Sequence, residues 1–127
     1  MINGTLTIEG PIVSADPAVT AVTTSNQRIP APTTRLYKLN SPFGGGNSVI
    51  GIGDGTDGQE VILVNTGTNS ITILQAFATI GDNDDNLILS SEGSFSLDQD
   101  DTLHLIYLSG RNGWLEISRS ENVVPQF

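Results

Sequence analysis

Few side chains in this chain could do chemistry, and their spacing limits what each could do. His104 is the single histidine and sits between Leu103 and Leu105. One imidazole cannot build a multi-histidine metal site, and no spacing nominates the distant Ser and Asp of a nucleophilic triad. Acids gather in Asp82-Asn-Asp-Asp-Asn86 and Asp98-Gln-Asp-Asp101, with a looser Asp54-Gly-Thr-Asp57. Such loops offer oxygen ligands to a hard cation such as calcium, but none has the twelve-residue layout closed by a Glu. Asp and Asn also favour turns, where their side chains bond their own backbone. Glycoside hydrolysis needs two carboxylates fixed across a groove; these acids lie in turns beside other acids, with few aromatic residues to platform a sugar. Gly44-Gly-Gly-Asn-Ser48 lacks the Lys-Ser/Thr ending and the following helix of a phosphate-binding loop. With no cysteine, disulfides, cysteine-ligated zinc and thiol nucleophiles are excluded. The expectation is a protein without enzymatic activity, cofactor or metal.

The elements that hold these residues read as short strands. Glu60-Val-Ile-Leu-Val64 is followed by the turn-forming Asn65-Thr-Gly-Thr-Asn69 and then Ser70-Ile-Thr-Ile-Leu74. Asn86-Leu-Ile-Leu89, Ser94-Phe-Ser-Leu97, Thr102–Leu108 and Trp114–Ser118 continue the series, each bounded by Gly, Asn, Asp or Ser. Val61–Val64 is continuously apolar, as in a strand covered on both faces. Ile71 and Ile73, then Phe95 and Leu97, alternate with polar residues and imply one wet face. Arg111-Asn-Gly113 predicts a tight hairpin pairing Leu103–Leu108 with Trp114–Arg119. With Leu115 and Ile117 toward the core, Trp114 would face outward or toward a neighbouring subunit, or lie across its own sheet's open end. Arg35-Leu-Tyr-Lys-Leu39 predicts a strand with Leu36 inward, if Arg35 and Tyr37 face out. The spacing predicts an all-β fold: a compact antiparallel β-sandwich or barrel, jelly-roll-like, with an extended N-terminal arm.

At 127 residues the chain reads as one domain, and as a complete small product. Its apolar share, 37%, makes a thin core of a kind that oligomerisation often stabilises. The first nine residues have neither the basic nor the apolar region of a signal peptide. No apolar run reaches the eighteen or so residues of a membrane helix, so no membrane partner is expected. The net charge of −9 opposes binding to nucleic acid.

That charge is unevenly spread. Residues 1–40 carry Arg28, Arg35 and Lys38 against Glu9 and Asp16; residues 41–127 carry Arg111 and Arg119 against the other twelve acids. The basic minority therefore lies in or near a distinct segment. Residues 1–32 are rich in Thr, Ala, Val and Pro, and the four prolines at 11, 17, 30 and 32 restrict them to edge strands or extended chain. Thirty extended residues reach roughly 100 Å, so an arm could cross to a neighbour as readily as wrap its own body. The organisation expected is an arm or edge strands over 1–32 and a β-sandwich body over 33–127.

One sequence of motifs, Gly55-Thr-Asp-Gly-Gln59, Glu60–Asn65, Ile71–Ile73, Asn86–Leu89, Phe95–Leu97, Asp101–Tyr107 and Gly113–Arg119, resembles β-modules of bacteriophage virion proteins, found in tail fibres and small capsid decoration (cement) proteins. It covers about residues 51–120 and offers no catalytic positions to transfer. The resemblance implies a homotrimeric structural component of the virion. No long shaft precedes the module, and a short chain with a mixed arm and an acidic body is similar to the cement design. The implied role is a decoration protein at the capsid surface, binding the outside of the major capsid protein lattice and stabilising the shell. Ile2, Leu6, Ile8 and Ile12, with Arg28, Arg35 and Lys38, would touch the shell; Tyr107 and Trp114 would line the trimer contact. The alternative is a tail-fibre or tail-tip module recognising host surface glycans, which would need an exposed aromatic groove. A non-viral structural β-module or secreted carbohydrate binder is a third possibility.

Overall fold

The computed structural model describes residues 18–75, 86–91 and 93–122. Ten strands follow in chain order: β1 Val19–Ala21, β2 Gln27–Ile29, β3 Leu36–Asn40, β4 Ser48–Ile52, β5 Glu60–Asn65, β6 Ile71–Ile73, β7 Asn86–Ile88, β8 Phe95–Leu97, β9 Thr102–Leu108 and β10 Gly113–Ser120. Among the described residues the one helical element is a 3-10 turn, Ser109–Arg111. The protein is all-β.

The connectivity corrects the antiparallel expectation. Odd-numbered strands and β10 build a six-stranded sheet, β1-β3-β5-β9-β10-β7, while the other even-numbered strands build a four-stranded sheet, β2-β4-β6-β8. From β1 to β9 the chain changes sheet at every strand. A strand therefore meets its sheet neighbour only after a full circuit, and arrives running in the same direction. β1 and β3, β3 and β5, β2 and β4, and β4 and β6 are all parallel. Circuits take roughly 20–25 residues, the scale of a solenoid coil. This is the winding of a two-sheet β-solenoid rather than an antiparallel sandwich, barrel or jelly roll. Antiparallel pairing enters only at β8 and β9, with β6–β8, β5–β9 and β9–β10. Turn composition alone does not distinguish a link that reverses within one sheet from a link that crosses to the other.

Both sheets contribute to one core, with Leu39, Val61, Leu63, Leu103 and Leu105 from the larger and Val49, Ile52, Ile71, Ile73 and Leu97 from the smaller, all fully buried. β1 and β2 fall within 1–32 and are edge strands of the two sheets, yet Val22 and Ile29 belong to the core. Tyr37, not Leu36, points inward: its hydroxyl donates to the Pro30 carbonyl at 3.0 Å, and burial raises its pKa. Leu36 is among the exposed apolar side chains.

Two polar residues close the sheet ends. Asn65 is fully buried where β5 leaves its sheet. Its amide donates to the carbonyls of Asn69 and Leu97, both at 2.8 Å, and its carbonyl oxygen accepts from the Gly67 N–H at 2.9 Å. Asn65→Ala would leave those groups short of partners in a region closed to water, a loss of about 2 kcal/mol measurable by denaturant unfolding. Asp101 is also buried and accepts from the backbone N–H groups of Asp98 and Asn122. The β9–β10 hairpin forms as expected, but with Asn112 left-handed at φ 53° after the 3-10 turn. Gly113 serves another need: a Cβ there would stand 2.5 Å from the Asn86 carbonyl oxygen of β7.

Candidate functional site

Trp114 and Tyr107 belong to the interior, which corrects their assignment to an exposed contact. Trp114 is fully buried and Tyr107 nearly so. Their rings meet edge to face, with centroids 5.1 Å apart. The indole N–H is shared between the carbonyls of Ile52 and Gly53, at 3.3 and 3.2 Å, so Trp114 ties the larger sheet to the end of β4 in the smaller. Gly55 lies against the ring, and a Cβ there would come within 2.8 Å of it.

Register with β9 sets the faces of β10, and a bulge changes their alternation beyond Glu116. Glu116 sits opposite Leu105 and Ser118 opposite His104, leaving Ile117 as the extra residue. Trp114, Glu116 and Arg119 therefore turn inward, while Leu115 and Ile117 turn outward. Without the bulge, residues three apart would lie on opposite faces. With it, Arg119 grips Glu116 through Nε at 2.7 Å and Nη2 at 2.6 Å. The Glu116 carboxylate also accepts from the Ser90 N–H at 2.9 Å, and its side chain is only 3% exposed. Arg119 holds the Glu116 pKa below the usual carboxylate range, and its guanidinium rests on the Phe95 ring at 4.0 Å.

What remains outward on the larger sheet is a broad apolar face. Cross-strand neighbours Ile88, Leu115 and Ile106 form one row ending at Glu60; Leu36 and Ile62 form a second, ending at His104 and Ser118. Lys38 lies between Val19 and Val64 in a third. Ile117, half exposed, projects beside them. Glu60 is the face's one carboxylate among the described residues. It bonds His104 Nε2 at 2.8 Å and lies 3.9 Å from Arg35 Nη2. β4 in the smaller sheet, by contrast, is buried at every position.

Of the basic residues expected to act together, the fold brings together two. Arg35 and Lys38 belong to the β3 side of this face, whereas Arg28 is on β2 in the other sheet. Ile2, Leu6, Ile8 and Ile12 lie outside the described residues, as do Asp82–Asp85. The Asp98–Asp101 loop is bound to itself and its neighbours: Asp98 accepts from the hydroxyls of Ser70 and Ser96, which lower its pKa, Ser70 contributing most. Among the described residues no group of three or more His, Cys, Asp and Glu side chains converges as a metal site. Sequence reasoning passed over Phe43, which is 84% exposed on the turn leading into the Gly44–Gly46 run. Its signal was an aromatic beside three consecutive glycines, a place where no strand can cover it.

Comparison with family models, curated proteins and solved structures finds no match.

Proposed function

We propose that this is a structural virion protein, a homotrimeric capsid decoration protein that binds the outside of the major capsid protein lattice and stabilises the shell. The observation that carries an assembly role is the outer face of the larger sheet, apolar in its centre and holding one carboxylate among the described residues of a chain of net charge −9. Acids placed in loops such as 54–57 and 98–101 keep the rims hydrated, while an apolar face of this kind suits protein contact. The assignment to a capsid follows from the likeness of residues 51–120 to phage virion modules. In this reading residues 1–17 and the β1 edge approach the shell. Arg35 and Lys38 supply positive charge near that edge, and Arg28 acts separately.

The test is immunogold electron microscopy of purified virions with an antibody to this chain. Label across the icosahedral shell is the expected result; label confined to the tail would overturn it. One feature favours a second reading, a tail-tip module for host surface glycans: the exposed ring of Phe43 offers an apolar surface on which a sugar could stack. That reading expects binding of the isolated protein to host cells, lost in Phe43→Ala.

A further inference from the structure

We propose that the outer face of the six-stranded sheet is the contact between copies of this chain. The inference rests on the assembly reading above and assigns its subunit interface to Leu36, Ile62, Ile106, Leu115 and Ile117, in place of Tyr107 and Trp114.

Charge favours a second copy as the occupant. A chain of net charge −9 repels itself over most approaches. On this face the one described carboxylate, Glu60, is already engaged by His104 and approached by Arg35, so two copies can meet there without opposing acids. The face is also self-complementary in sign. Arg35 and Lys38 lie toward its β3 side and Glu60 on the adjacent strand β5, so a copy that offsets its face by one strand sets acid against base.

Size agrees with the same occupant. Six strands at about 4.8 Å spacing give a width of about 24 Å, and strands of about six residues a height of about 20 Å. Three such faces turned toward one axis bring together about 1,500 Å² of surface in all, so the trimer engages the whole face rather than one corner. Ile117 extends that contact. The bulge that turns Arg119 inward leaves Ile117 unpaired with β9 and half exposed beside Ser118, at the open side of the face.

The experiment is the mass of the full chain in solution by sedimentation equilibrium, from about 1 to 100 μM. The chain mass is 13.4 kDa, and the expected wild-type mass is a multiple of it, three under the proposed assembly. Ile117→Lys puts a charge in the contact at a half-exposed position and is expected to weaken association at least about tenfold while the chain keeps its folded circular dichroism spectrum. Leu36→Lys, exposed at the opposite side of the face, gives the same result independently should Ile117→Lys perturb the bulge. A monomeric wild type overturns the proposal, as does wild-type mass in both folded variants. A monomer that still labels the capsid shell would sink the interface and leave the capsid role standing; an oligomer absent from the shell would do the reverse.

Discussion

Trp114→Ala is expected to cost about 4 kcal/mol, the largest single loss among the described residues. The indole is fully buried, packs edge to face on Tyr107, and is the donor that joins β10 to the carbonyls of Ile52 and Gly53 across the two sheets. Truncation opens a cavity between layers that the β-ladders hold apart, so collapse around it is limited. Domains of this size have stabilities of about 5–15 kcal/mol, so the variant would stand near the edge of unfolding at 37 °C. Trp114→Phe keeps most of the volume and loses the hydrogen bond, for about 1–2 kcal/mol. Urea unfolding followed by circular dichroism measures both. A loss under 1 kcal/mol for the alanine variant would mean the sheets are not tied through this residue.

Arg119→Ala comes next, at about 3 kcal/mol near neutral pH, because it strands the Glu116 carboxylate at 3% exposure with one backbone donor, Ser90. The pH dependence carries the sharper signature. In the wild type the Glu116 pKa is depressed chiefly by Arg119. Its stabilising contribution is therefore complete above the unfolded-state carboxylate pKa, and is lost as pH falls through the lower folded-state value. In Arg119→Ala the dominant cause of the depression is gone, leaving burial, which raises the pKa, opposed by the Ser90 donors, which lower it. The depression shrinks, so this variant loses less stability than the wild type as pH falls. Adding Glu116→Gln to Arg119→Ala removes the buried charge and recovers part of the loss. Unfolding midpoints between pH 3 and 8 check all three, and parallel pH profiles for wild type and Arg119→Ala would refute the account.

Strand content was open to reading from the residues, because apolar runs between Asn, Gly and Asp clusters have one physical meaning. The hairpin around Asn112 was equally legible. Direction of burial was not. In Leu36-Tyr37 and in Trp114-Leu115-Glu116-Ile117 both parities carry apolar residues, so alternation cannot say which set faces the core. The rule that carboxylates face water then selects the wrong parity for β10, since Glu116 is buried with a partner that a bulge brings to its side. The same ambiguity hid the outer face: Ile62, Ile106 and Leu115 read as core until the second layer covers only the other side. The parallel winding was hidden for a different reason. A link such as 66–70 has turn residues whether it reverses in plane or crosses between sheets, and only the partner strand tells them apart.

Strand order also bears on how the chain is made. β9 lies between β5 and β10, and β7 has its place at the edge beyond β10. On the ribosome β1 to β6 can stack coil upon coil as they emerge, whereas β7 finds its sheet neighbour only when β10 follows it. That interval of roughly thirty residues lasts a few seconds at about 5–20 residues per second, and until β9 emerges within it the ladder edge of β5 stays open to any passing strand. A message cut short near residue 100 would thus yield a sticky half-sheet rather than a smaller stable protein. The last two strands act as the keystone of translation, and chaperone demand should peak just before they appear.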